Sequence, residues 1–326
     1  MTEKHLHYLD GWRGLAIVFL LIGHFFPVPG ISFGALGVNL FFVLSGYLMG
    51  GLLLIKKTPI PLFYKRRISR ILPAHIFYLT CTIIFFALAG IPIVWHETVT
   101  ALFFINNYTS EHAMPFGHIW SLAVEEHSYI LLSVVALLSR RFQVDAKWPI
   151  AALAAAFSLV GFWYSTQFSG KELEFVKWLH TEVSAYGIFV SCAILLFLSK
   201  YKIPTITIFH FLLLMLLAAA AHWWSVPLPI RTTVGVGALA LMVNLLSGAP
   251  VIVRRILEIR PLTLMGTCSI SIYLWQQPFY YISRIHPILP EYRAAIIAVL
   301  FGIAFFYLIE NPVRAYLNSV WAKARN

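Results

Sequence analysis

The chain has 326 residues, of which 60% are hydrophobic and only 11% charged, with a mean hydropathy of +0.80. That composition excludes an ordinary soluble domain and fits a polytopic membrane protein. The formal net charge of +11 does not require nucleic acid, because cytoplasmic loops of membrane proteins collect Lys and Arg.

Apolar runs fall near residues 12–29, 34–55, 71–90, 118–138, 148–167, 182–199, 204–224, 230–248, 262–283 and 293–311. Each is long enough, or nearly so, to cross a membrane. An all-α bundle of about ten transmembrane helices is therefore expected, as a single domain over 1–326 with both termini cytoplasmic. The first run lacks a small-residue cleavage pattern and reads as a retained helix. The patch at 98–105 is too short to span. With a cytoplasmic N-terminus, nineteen of the 24 lysines and arginines fall inside and five (Lys171, Lys177, Arg231, Arg284, Arg293) outside, as the positive-inside bias requires. No internal repeat or low-complexity stretch interrupts this order. Cys81, Cys192 and Cys268 lie singly in apolar runs without metal or disulfide spacing, and read as packing residues.

Five segments carry candidate chemistry. In the first run, Arg13 and His24 are eleven residues apart, about three helical turns, so they leave one helix on nearly the same face. The histidine then lies ~16 Å along the helix from the arginine, near the middle of a hydrocarbon layer. A snorkelling arginine and a histidine satisfied by a carbonyl are the plain alternative. An intramembrane imidazole that stays neutral can instead take a proton from a hydroxyl or thiol. At the entrance of the third run, Arg67 and Arg70 are i, i+3 neighbours. They are either ordinary cytoplasmic charge or a forked clamp for phosphates.

The segment from His118 to Tyr129 brings Glu125 and Glu126 into an apolar helix, with Trp120 beside them and Ser121, Glu125 and Tyr129 at i, i+4 spacing. Two glutamates in lipid are costly, so at least one must face the interior. It serves either a structural ion pair, with Arg13 for example, or the charge and orientation of His24. Asn39 lies among the small residues of the second run, and Gln276 and Gln277 precede Pro278 in the ninth. These are helix-packing glue or substrate contacts. His75, His210 and His222 read as structural.

Taken together, "LDGWRGLAIVFLLIGH", "LGVNLFFVLSGYLM", "RRISRILP", "HIWSLAVEEHSY", "SIYLWQQP" and "LIENPVR" resemble, in order and spacing, the landmarks of acyltransferase family 3. That family comprises integral-membrane O-acyltransferases of bacterial surface polysaccharides and lipids. The resemblance implies an acyl-CoA donor, acetyl-CoA for the simplest case, entering from the cytoplasm of a multi-pass inner-membrane protein. It also implies a glycan or glycolipid acceptor on the far side, with separate glycan-assembly partners and no metal. It assigns His24, Arg13 and Glu125 to catalysis and Arg67 and Arg70 to the CoA phosphates. Trp120, Ser121, Glu126, Tyr129, Gln276 and Asn39 become supporting residues. Many relatives carry histidine where this chain has Gln276, so a proton relay through that position is not expected here. The chain ends soon after its tenth run, so an appended esterase-like domain is not expected either. A proton-coupled transporter or flippase is the alternative that buried His, Glu and Arg also allow.

Overall fold

The computed structural model describes residues 6–109, 115–167, 178–285 and 289–323. The described residues are helical and form no β-strand; one isolated bridge joins Ile31 and Trp223. Of the charges weighed above, Lys4, Lys171, Lys177 and Arg325 lie outside them.

The helices follow the apolar runs. They are α1 (His7–Phe25), α2 (Phe33–Gly50), α3 (Ile60–Leu88), α4 (Trp95–Leu102), α5 (Trp120–Phe142) and α6 (Lys147–Gln167). Then come α7 (Tyr186–Leu198), α8 (Ile208–Ala221), α9 (Val236–Leu245), α10 (Val251–Leu257) and α11 (Arg260–Thr267). The last three are α12 (Ser269–Ile285), α13 (Glu291–Phe305) and α14 (Asn311–Lys323). Three π-helical turns, Gly51–Ile55, Arg231–Gly235 and Phe306–Glu310, extend or join these helices.

Among the described residues, seven helical stretches are long and apolar enough to cross a membrane: Phe33–Ile55, Ile60–Leu88, Gly117–Phe142, Lys147–Gln167, Thr181–Leu198, Leu228–Gly248 and Glu291–Lys323. The other three expected runs are helical but shorter or more polar: α1 with 19 residues, α8 with 14 and α12 with 17. The patch at 98–105 contributes to the eight-residue α4. Large apolar side chains stay exposed along the long helices, including Ile76 and Ile84 on α3, Leu212 and Leu216 on α8, and Ile296 and Leu300 on α13. Such faces suit lipid and not water.

The chain gathers into two compact units interleaved in sequence. The first comprises Met1–Gly23, Pro27–Lys57 and Val124–Thr267. Its helices approach backbone to backbone at glycines. A Cβ on Gly46 of α2 would stand 2.0 Å from the Ile188 carbonyl oxygen of α7. One on Gly11 of α1 would stand 1.7 Å from the Leu257 oxygen, and one on Gly266 1.8 Å from the Asp10 oxygen. Small residues permit this close packing, which dispersion then stabilises. Trp12, Ala16, Leu40, Val43, Val236 and Met242 fill the core, and the Trp12 indole donates to the Leu40 carbonyl at 3.3 Å. Cys192 is buried there, its Sγ only 2.5 Å from where a Gly50 Cβ would sit.

The second unit comprises His24–Phe26, Thr58–Ala123 and Cys268–Asn326. It holds α3, α4, the first turn of α5 and α12 to α14. α12 and α13 touch at Gly302, where a Cβ would meet Ile272 Cα at 2.7 Å. Pro73 lies inside α3 and Pro278 inside α12. Each lacks an N–H and so frees a carbonyl one turn earlier, those of Ser69 and Leu274.

Candidate active site

His24 stands in the last turn of α1, one residue before its end at Phe25. The helix starts at His7 and breaks before Pro27 and Pro29, so the imidazole stands at the helix terminus. Its ring is part-buried and turned onto α12. Nδ1 lies 2.9 Å from Gln276 Oε1. Gln276 is fully buried, and its Nε2 donates to Gln277 Oε1 at 2.9 Å. That direction leaves the Gln276 carbonyl for His24, so Nδ1 carries the proton and Nε2 keeps its lone pair. The Tyr280 ring stacks on the imidazole, with centroids 5.2 Å apart and planes 23° from parallel. Phe25 meets Tyr280 edge-on at 5.5 Å, and the Arg284 guanidinium lies 5.1 Å from its centroid on the way to an ion pair with Glu291 at 3.0 Å. Gln276, Tyr280 and Arg284 follow i, i+4, i+8 spacing, one face of one helix.

A second polar group occupies the same unit. Ser121 and Tyr273 hydroxyls are 2.6 Å apart, and Tyr273 donates to the His118 carbonyl. The buried His118 ring packs against Tyr273 at 5.1 Å and edge-on to Tyr78 at 5.6 Å. Tyr78 in turn donates to the Pro115 carbonyl at 2.9 Å. Trp120 is buried at the start of α5. Arg67 is buried on α3. Arg70, one turn on, lies within electrostatic reach of the buried Glu310, as does Arg314, while Ser271 donates to Glu310 at 2.5 Å.

The remaining predicted residues belong to the first unit. Arg13 pairs with Asp10 at 3.4 Å. Glu125 accepts from Ser45 through Oε1 and from Tyr129 through Oε2, both at 2.8 Å. The i, i+4 expectation for Glu125 and Tyr129 therefore corresponds to a real bond, while the Ser121 hydroxyl goes to Tyr273. Glu126 is part-buried on the same helix. Asn39 Nδ2 lies 2.9 Å from His222 Nε2, whose Nδ1 reaches the Ala218 carbonyl at 2.7 Å. His210 reaches the Thr207 hydroxyl at 2.7 Å, and His75, in the second unit, the Ala101 carbonyl at 3.2 Å. Glu125 was expected either to hold the His24 tautomer or to balance its charge; the Nδ1 partner observed is Gln276. The proline-and-amide signal flagged Gln276, and nothing local to either residue pairs it with His24. Tyr280 was missed: an aromatic near a helix end reads as an ordinary membrane-interface residue.

These features define a multi-pass helical membrane protein with a polar, histidine-centred site. The chain belongs to the acyltransferase 3 family, whose model, described as an acyltransferase domain, matches residues 6–310. It is similar to O-acetyltransferase OatA of Staphylococcus aureus strains NCTC 8325 and COL, each 34% identical over 162 residues. That match covers 44% of this chain and 26% of the relative. SACOL0978 of S. aureus strain COL, named as a candidate O-acetyltransferase, is 31% identical over 176 residues, 48% of this chain and 29% of that protein. The matched segment thus spans about a quarter of the length of these curated relatives. No solved structure matches the chain.

Proposed function

We propose that this protein is an acyl-CoA-dependent O-acyltransferase of a bacterial inner membrane. In this reading it moves an acetyl or closely related group from cytoplasmic acyl-CoA to a hydroxyl of a glycan or glycolipid on the extracytoplasmic side. The observation that carries it is the hydrogen bond from His24 Nδ1 to Gln276 within a directed amide chain. A base of this kind needs one nitrogen anchored as donor and the other free to accept.

His24 Nε2 takes the proton of the acceptor hydroxyl as that oxygen attacks the thioester carbon. Gln276 holds the tautomer and accepts from the imidazolium that forms; Tyr280 fixes the ring plane. The C–O bond forms, the carbonyl recloses, the C–S bond breaks, and His24 returns its proton to the departing thiolate. Arg67 and Arg70 hold the CoA phosphates, for which two forked guanidiniums are suited. Trp120 and Ser121 brace the acceptor path within the second unit, and Tyr129, Glu125, Glu126, Asn39 and Arg13 hold the helices of the first unit in place. The positive-inside bias, which favours a cytoplasmic N-terminus, supports a far-side acceptor, since His24 stands at the opposite end of α1.

The test uses membrane vesicles from cells expressing the protein, which carry their own envelope acceptors, supplied with radiolabelled acetyl-CoA. His24→Ala is expected to lower label transfer by at least ~100-fold, the ordinary weight of a general base. A folded His24→Ala protein with normal transfer refutes the reading. Rapid quench separates direct attack from a route through an acyl-imidazole, which alone leaves label on the protein.

A further inference from the structure

Trp275 sits one residue before Gln276 on α12 and takes no part in the steps above. The side chain is 7% exposed, and its Nε1–H has no hydrogen-bond partner among the described residues. A buried indole N–H ordinarily finds an acceptor, as Trp12 does at the Leu40 carbonyl. The Trp275 ring is held between two other helices of the same unit. Tyr78 of α3 meets it edge-on at 5.4 Å, and Phe301 and Phe305 of α13 tilt against it at 4.7 and 5.3 Å. Indole nitrogen only donates, so the group that completes this site is an acceptor oxygen. The surface of α3 leads to this ring from the proposed phosphate site. Arg70, Ala74 and Tyr78 follow i, i+4, i+8 spacing, with Arg67 one turn before them. From Arg70 to Tyr78 the stripe climbs ~12 Å.

Resting on the acyl-transfer reading, we propose that Trp275 is a donor-binding residue, whose indole N–H donates to an amide carbonyl in the pantetheine arm of acyl-CoA. That arm alternates methylene segments with amides, and it has to run from the phosphates to the His24 imidazole. An aromatic seam with one buried donor matches such a chain. The Tyr78, Phe301 and Phe305 rings cover methylenes, and Trp275 satisfies a carbonyl that loses its water on entry. Gln276, the next residue, bonds His24, so the contact fixes the arm one residue along α12 from the anchor of the proposed base. The bond is made equally in the ground state and the transition state. It therefore sets affinity for the donor and leaves the rate of the chemical step alone.

Two variants and two donors test this in the vesicle assay. Trp275→Phe removes the N–H and keeps an aromatic ring. Benzothienylalanine placed at position 275 by amber suppression keeps the shape of indole and puts sulfur where the N–H was. The donors are acetyl-CoA and S-acetylpantetheine, which has the arm without the phosphates. The benzothienyl protein is expected to raise KM about fivefold or more for both donors, with kcat little changed and melting in detergent equal to the parent. Trp275→Phe is expected to raise KM for both at least as much. Arg67→Ala with Arg70→Ala is expected to raise KM for acetyl-CoA alone. A benzothienyl protein with parental KM for both donors overturns the proposal, whatever Trp275→Phe does. So does one that melts lower than the parent, because the N–H then has a structural partner, or one that loses kcat at constant KM. His24→Ala run in parallel separates the two ideas. If it is inactive while the benzothienyl protein behaves as the parent, only the role of Trp275 falls; if His24→Ala is active, the base reading falls first.

Discussion

Replacing Gln276 with leucine probes the bond on which the proposed chemistry turns. The amide oxygen stands 2.9 Å from His24 Nδ1 in a fully buried position. In the resting enzyme this is one neutral hydrogen bond, worth about 1 kcal/mol net. In the transition state the imidazole carries positive charge, and a hydrogen bond to a charged group contributes roughly 1.5–3 kcal/mol. Only the difference between the two, about 0.5–2 kcal/mol, enters kcat, a fall of roughly 2- to 30-fold. KM for acetyl-CoA should change little, because the bond strengthens only as the proton moves. Gln276→Glu keeps an oxygen in the same place and should retain more activity than Gln276→Leu. The measurement is initial rate of label transfer from acetyl-CoA in vesicles, normalised to folded protein by detergent melting curves. A folded Gln276→Leu protein with near-parental kcat would show that His24 needs no partner at Nδ1. An unchanged kcat with a raised KM would move Gln276 from chemistry to donor binding.

Two further outcomes follow from the geometry. The double substitution of Arg67→Ala and Arg70→Ala should weaken acetyl-CoA binding to purified protein by about tenfold or more, since each forked contact to phosphate is charge-assisted; unchanged affinity by calorimetry removes the phosphate role. Gly46→Ala places a methyl 2.0 Å from the Ile188 carbonyl oxygen and should destabilise the first unit by about 1–3 kcal/mol or more through overpacking. Gly237→Ala, with nothing within 4 Å of its Cβ, is the matched control and should melt no lower than the parent. Equal melting of the two variants would contradict the close helix crossing.

Much of this site was readable one segment at a time. Arg67 and Arg70 sit one turn apart on α3, and Glu125 bonds Tyr129 at i, i+4, because helical periodicity is a local property of the chain. The end of the first helix was less readable. The apolar run continues past His24, but Pro27 and Pro29 stop the helix at Phe25, and helix ends depend on such details. Seven of the ten apolar runs are long enough by themselves to span, while α1, α8 and α12 are shorter or more polar than composition implied.

The sequence alone determined that the chain is a helical membrane protein, which helices carry ionisable groups, and which face of each those groups share. Burial of apolar runs and a 3.6-residue period need no knowledge of neighbours. Only the tertiary structure decided the partners. Gln276 meets His24 across 252 residues of chain and Asn39 meets His222 across 183. Such pairs form because a buried polar group must find a hydrogen bond wherever packing places one, and packing is set by how glycine-lined helices cross.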